Sequence, residues 1–242
     1  MTRILLYLLL ACTPPADAHF NFDLGLNIQR EYDDSFAAEL DPFAPRGLKM
    51  AYLSSVVLQV FDNDYPAGMG SGNYFKLGKH RFIITAAHVV DGVDEIEIYE
   101  KGYVATSAEV IYLDPHADIA ILLPKERLRY TKAVPFRRDI NNQMGEKVYH
   151  CGHPSGQGWH ISEGLLTGTR NDTLMANTFA WPGSSGSILF DETGRVIGVV
   201  SAILVDGPFG IPDMVEHIVL AGNIKTLDQE TLKSVLRNAR KE

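Results

Sequence analysis

The sequence predicts an all-β protein: two packed six-stranded antiparallel β-barrels followed by a C-terminal α-helix. Three observations carry that expectation. Short apolar segments bounded by Gly, Pro, Asn or Asp recur from Tyr52 to Ala221, the texture of strands and tight turns. One of them, Asp94 to Glu100, alternates acidic and apolar residues, as a strand with one buried and one wet face does. Midway, residues 124–145 lose the rhythm and divide the strand-rich chain into two halves. A content of 45% hydrophobic residues over 242 positions suffices for the cores of two such halves.

The chain begins with Arg3, an apolar run from Ile4 to Leu10 and then Ala16-Asp17-Ala18, which fits an export leader (residues 1–18) cut after Ala18. A lipoprotein signal with Cys12 acylated and an uncleaved tail are the alternatives. No apolar run approaches the roughly 20 residues of a membrane span, so the expectation is an exported protein without an integral segment. Cleavage removes Arg3 and Asp17 and leaves the net charge at −8, which argues against a nucleic-acid partner. It also leaves Cys151 as the last cysteine, excluding an intramolecular disulfide. Residues 19–49 carry six acidic side chains, and Ile28, Tyr32, Phe36 and Leu40 recur every four residues. They read as a helical strap packed on the barrels, or as a removable pro-segment.

The first barrel is expected over residues 50–123. Its strands are Ser54 to Phe61, Tyr74 to Leu77, Arg81 to Thr85, Asp94 to Glu100, Val104 to Leu113 and Ile119 to Leu123, with Asp62 to Pro66 as a loop and Gly70-Ser71-Gly72 preceding the second strand. Residues 124–145 read as a solvated linker; its basic side chains are mixed with Glu126 and Asp139. The second barrel, over 146–225, takes Lys147 to Cys151, His160 to Thr169, Thr173 to Phe179, Ser187 to Phe190, Arg195 to Ile203 and Glu216 to Ala221. Residues 226–242 read as a helix, with Thr226 and Gln229 as a capping box and Arg237, Arg240 and Lys241 in the last turn.

The chemistry centres on Gly183-Ser184-Ser185-Gly186. A nucleophilic serine needs a sharp turn that lifts its oxygen clear of the backbone, peptide N–H groups aimed at an oxyanion, and a histidine base oriented by a carboxylate. Upstream, Thr85-Ala86-Ala87-His88 offers the base and Asp118-Ile119-Ala120-Ile121-Leu122 the carboxylate. Asp114 is the runner-up carboxylate, and Ser184 and Ser187 compete with Ser185, the only one of the three with glycine two before and one after.

These three motifs, in the order His, Asp, Ser, resemble the chymotrypsin-like (trypsin-fold) serine peptidases over about Ser54 to Ser201. The missing disulfides bring the resemblance closest to the bacterial, viral and Deg-type branch. It implies two chymotrypsin-like barrels with the site in the cleft between them, His88, Asp118 and Ser185 as the triad, and an oxyanion hole from the N–H groups of Gly183 and Ser185. The chain ends with the predicted helix, so no PDZ-like peptide-binding domain is expected. Ser184 stands where animal relatives carry the Asp that pairs with a freshly cut N-terminus, so that activation switch is not expected, and a hole collapsed at rest stays open. By position the pocket residues are Phe179, Ala180, Trp181, Val200, Ser201 and Ile203. They lack the Asp of trypsin-like members and the His of glutamate-specific ones. An apolar lining follows, with cleavage after small or medium apolar residues; Asp206, Asp213 and Glu216 are the acids that could alter it.

The implied function is an exported serine endopeptidase acting on proteins or peptides, with a catalytically silent binding module and an esterase as the alternatives. No cofactor is expected. His150, Cys151, His153 and His160 raise the question of zinc, but His150 and Cys151 are adjacent and on a strand face opposite sides, so no metal is expected either. The oligomeric state is not legible.

Overall fold

In a computed structural model, residues 5–8, 40–100, 103–156, 158–170, 172–205 and 214–239 are described. The chain opens with β1 (Leu5–Leu8), then α1 (Arg46–Ser54). The cut after Ala18, Cys12 and the helical repeat through Ile28, Tyr32 and Phe36 lie outside the described residues.

The first barrel comprises β2 (Ser55–Asp62), β3 (Tyr65–Leu77), β4 (His80–Thr85), β5 (Glu95–Glu100), β6 (Tyr103–Asp114) and β7 (Ile119–Pro124). Its neighbours run β2-β5-β6-β7-β4-β3, and β3 pairs back with β2, closing the ring. One expectation needs correcting. The loop read at Asp62 to Pro66 is a two-residue hairpin at Asn63 and Asp64, with φ of 49° and 66°, a left-handed geometry that Asn and Asp tolerate. Consequently β3 starts at Tyr65 rather than near Tyr74, and the glycines expected to precede the strand lie inside it. They are there for close approach: a Cβ on Gly70 would lie 2.6 Å from Val89 Cγ1 and 3.2 Å from Ser185 O.

The second barrel comprises β9 (Lys147–Gly152), β10 (His160–Arg170), β11 (Thr173–Asn177), β12 (Ile188–Asp191), β13 (Val196–Val205) and β14 (Met214–Asn223). Its neighbours run β13-β12-β9-β10-β11-β14 and close through β13–β14. The backbone of β1 adds to the free side of β13 over Ala202–Val205. Two closed six-stranded antiparallel barrels, as expected, thus make up most of the protein.

Between them the linker contains β8 (Val134–Pro135), parallel to β3 at Phe75 and Lys76. It is fastened mainly through its backbone. The buried Glu100 carboxylate accepts the N–H groups of Arg129, Tyr130 and Thr131 at 2.8, 2.9 and 2.7 Å, and Lys132 N–H donates to Leu53 O. An aromatic cluster joins the barrels: Phe75 of β3 packs edge-on against linker Phe136 and 6.0 Å from Phe190 of β12.

The C-terminal helix is present as α3 (Gln229–Asn238), but its cap is Asp228, not Thr226. Asp228 Oδ1 accepts from Glu230 N and Thr231 N at 2.8 and 2.9 Å, a carboxylate on the positive end of the helix. Thr226 instead closes a 3₁₀ turn (Ile224–Thr226) by donating to Asn223 O. Leu232 and Leu236 bury the inner face of α3 in the first barrel's core. No helix among the described residues is long and apolar enough to cross a membrane.

Candidate active site

β4 runs into a single helical turn, α2 (Ala87–Val90), because Val89 and Val90 turn inward to the core. That leaves His88 at the barrel rim, partly exposed. Asp118 stands just before β7 with φ of 54°, a left-handed conformation that turns its carboxylate toward α2. Both carboxylate oxygens engage the same residue: Oδ2 lies 2.8 Å from His88 Nδ1 and Oδ1 accepts His88 N–H at 2.9 Å. With Nδ1–H donating to Asp118, the neutral imidazole carries its lone pair on Nε2, the form a general base needs. Ser201, arriving from β13, donates its hydroxyl to Asp118 Oδ2. Burial pushes the Asp118 pKa up, but the His88 ring, its charge when protonated, the Ser201 hydroxyl and the His88 N–H outweigh that and hold it below the usual carboxylate range. Asp114, the runner-up, is used otherwise: its Oδ1 accepts His116 N–H and Ala117 N–H at 3.0 Å and so closes the turn before Asp118.

Ser185 comes from the other barrel, in the turn before β12. Gly183 and Gly186 have φ of 100° and 87°, conformations that favour glycine. A Cβ at Gly186 would lie 2.1 Å from Ser71 O and 2.2 Å from Thr85 Oγ1, and one at Gly183 2.4 Å from His153 O. The turn is therefore pressed between β3, β4 and the loop after β9, and only glycines fit. Inside it, Ser184 N–H donates to Trp181 O at 2.8 Å and Gly186 N–H to Val200 O at 2.8 Å. The rival hydroxyls are committed to the turn: Ser184 Oγ accepts from Trp181 N at 3.3 Å and Ser187 Oγ donates to Ser184 O at 2.8 Å. Pro182 O accepts Ser155 N–H at 2.7 Å. No peptide bond among the described residues is cis, and in a trans peptide C=O and N–H point opposite ways, so Gly183 N–H is directed away from Ser155.

A family model, the trypsin-like peptidase domain, matches residues 70–199, more than half of the chain. The chain belongs to the trypsin-like peptidase family. It is 28% identical over 155 residues to Protease Do-like 1, chloroplastic, of Arabidopsis thaliana, covering 58% of this chain and 34% of that protein. A probable periplasmic serine endoprotease DegP-like of Bartonella henselae is 28% identical over 180 residues, covering 71% and 35%. The chain thus spans about a third of the length of these curated relatives. Among solved structures, the HtrA-type protease AlgW with tripeptide superposes with a TM-score of 0.64 at 24% identity, covering 80% of this chain and 63% of that one. The serine endoprotease from Yersinia pestis gives 0.59 at 21%, covering 80% and 66%.

In this trypsin-like chain the six residues expected to line a pocket separate into three groups. Phe179 and Trp181 are half-exposed, at 39% and 41%, on the rim beside the nucleophile turn. Ala180 and Val200 are buried in the second barrel's core, with Ile203 packed partly against it. Ser201 turns its hydroxyl to Asp118. Asp206 and Asp213 lie outside the described residues.

Of the residues weighed as zinc ligands, His150 and His153 enter separate hydrogen-bond networks. His150 Nε2 is 2.8 Å from Phe179 O and its Nδ1 3.1 Å from Ser187 Oγ. His153 Nδ1 is 3.0 Å from Gly158 O, and its Nε2 2.8 Å from Ser55 Oγ. Burial lowers both imidazole pKa values to about 4, so both rings are neutral near pH 7. Burial also pushes the Cys151 thiol up to about 12, which leaves it protonated and inert. No group of three or more His, Cys, Asp or Glu arranged to hold a metal occurs among the described residues.

Two residues of the site were not singled out from the sequence. Ser155, with φ of 50°, aims its N–H at Pro182 O; Ser71 contacts the nucleophile turn across more than a hundred positions. The one signal available for Ser71 was its place between two glycines, which marks a strand passed closely by other chain segments.

Proposed function

We propose that the protein is a serine endopeptidase in which His88, Asp118 and Ser185 form the triad. The observation that carries the reading is the His88–Asp118 pair, doubly bonded and reinforced by Ser201, with a glycine-framed serine turn of the other barrel packed on Thr85 and Ala86 just before His88. In the reaction, His88 Nε2 takes the Ser185 hydroxyl proton as Oγ adds to the substrate carbonyl. The oxyanion is met by the N–H groups of Gly183 and Ser185. His88 then gives the proton to the leaving amine, and water repeats the sequence on the acyl-enzyme. Side chains, main-chain N–H groups and water supply every step.

The apolar character of Phe179, Ala180, Trp181 and Ile203 supports cleavage after Ala, Val or Leu, because a Lys, Arg or Glu side chain against them would be desolvated without a partner. The Arg3 to Ala18 pattern supports export and a mature chain beginning at His19.

Fluorophosphonate labelling with peptide mapping tests the nucleophile. The label is expected on Ser185, and Ser185→Ala should lower peptide hydrolysis by roughly 10⁴- to 10⁶-fold with the melting temperature retained. Labelling at Ser184 or Ser187, or undiminished turnover, would refute the assignment. A peptide library read by mass spectrometry checks the preference, which a dominant Lys, Arg or Glu before the cut would overturn. The mass of the exported protein's N-terminal peptide checks the processing site.

A further inference from the structure

We infer that Ser71, in β3 of the first barrel, is a positioning residue that holds the nucleophile turn of the second barrel and sets the direction of its oxyanion donors. This inference rests on the peptidase reading above and deepens it. Ser71 is fully buried, and each of its polar groups is used at the junction. Its N–H donates to Ser185 O at 2.7 Å, and its hydroxyl donates to Gly183 O at 2.7 Å. The same hydroxyl accepts His153 N–H at 3.1 Å. Its carbonyl accepts the Thr85 hydroxyl at 2.7 Å, three residues before His88.

The geometry of peptide planes gives these bonds their consequence. The carbonyls of Gly183 and Ser185 belong to the peptide units 183–184 and 185–186. The N–H groups proposed for the oxyanion belong to the units 182–183 and 184–185, each adjoining a unit that Ser71 fixes. A plane can rotate only about its Cα links, so pinning alternate planes restricts the ones between. The need is greatest at Gly183, whose φ of 100° and missing Cβ leave the backbone little intrinsic preference. Ser155, through its N–H on Pro182 O, fixes the 182–183 unit from the other side, and the His153 N–H ties that loop to the same Ser71 hydroxyl. A single residue thus stands where the base-bearing strand, the loop after β9 and the nucleophile turn meet, its carbonyl on the first and its hydroxyl on the other two.

Ser71 does not touch the reacting atoms, so its removal should affect the transition state far more than substrate binding. Ser71→Ala is expected to lower kcat by about 10- to 100-fold with KM within about threefold, short of the loss seen when an oxyanion donor itself is deleted. Affinity for a peptide boronate, whose tetrahedral adduct places an oxygen in the hole, should fall by a similar factor, whereas affinity for a non-covalent peptide product should not. Thr226→Val serves as control. It removes a partly buried hydroxyl bonded to Asn223 O, in the 3₁₀ turn before α3 and outside residues 183–186. It should leave kcat within about twofold. If Ser71→Ala does not fold, Ser71→Cys, which fills the site with a weaker donor, should show the same pattern at smaller size. Wild-type kcat and boronate affinity in the folded Ser71 variant, or a loss confined to KM, would overturn this inference alone. A wild-type protein that neither cleaves peptides nor takes up the boronate would overturn the peptidase reading and this inference with it.

Discussion

The two barrels build their halves of the site in different ways. In the first, His88 and Asp118 sit on adjoining segments of one barrel and bond to each other, with the Ser201 hydroxyl added from the second barrel. In the second, the turn carrying Ser185 is held by its own barrel, through Ser155, Trp181 and Val200, and from the first barrel as well. Ser71 takes up Gly183 O and Ser185 O, and the buried Asn73 accepts Ile188 N–H at 3.0 Å while its amide donates to Ala51 O and Ser54 Oγ. The His88–Asp118 bonds lie within one barrel, whereas the turn carrying Ser185 draws part of its support from across the junction.

The strongest way to break this picture is Asp118→Asn. The amide oxygen can still accept His88 N–H, so the melting temperature at pH 7 should change little, while kcat falls about 10⁴-fold because the imidazole is left in the wrong tautomer. A loss below tenfold in steady-state assays would mean that the pair is not the acid–base centre. Asn73→Ala comes next. It strips three buried hydrogen bonds, should cost about 2–4 kcal/mol in denaturant unfolding, and should raise amide exchange around Ile188 more than in β4 and β7. Uniform loosening of both barrels would contradict the asymmetry.

The third test is a pH dependence, which is small near neutral pH. His150 and His153 have folded pKa values of about 4 against an ordinary 6.5. Between those values the unfolded chain binds more protons than the folded one. Stability from this source is complete above about pH 6.5 and declines as pH falls toward 4, by up to about 3 kcal/mol for each ring. Asp118, whose pKa is lowered, loses its contribution only at still lower pH. Both rings lie in the second barrel, so acidification should release its amides before those of the first. His153→Asn should flatten the slope of melting temperature against pH between 7 and 4.5 even if it melts lower throughout; an unchanged slope would remove His153 from the account.

Much of this was legible in the chain. Strands with a period of two and turns marked by Gly, Asn and Asp are local signals, and they placed most strands of both barrels to within a few residues. His88, Asp118 and Ser185 each stand beside a strand with a recognisable flank, and the structure brings His88 and Asp118 into contact. What stayed hidden depends on distant segments. The glycines of β3 look like the approach to a strand until the nucleophile loop is laid over them. Nothing near Ser71 announces Gly183. Val200 and Ser201 are neighbours on one strand, and only the closed barrel shows that one enters the core while the other reaches Asp118. Glu100 falls by strict alternation on the buried face of Ile96 and Ile98, and an acid there is accounted for only by the linker N–H groups that arrive from a distant segment.

That inward turn of Glu100 has a consequence for how the linker can vary. The carboxylate recognises main-chain N–H groups, which every residue type except proline supplies at positions 129–131. Replacing Arg129, Tyr130 or Thr131 by any residue but proline therefore leaves this anchor its donors, and the buried Thr131 limits the choice for a separate reason, its packing. The join between the two halves is fastened by the shape of the chain, which is common to all sequences that can follow it.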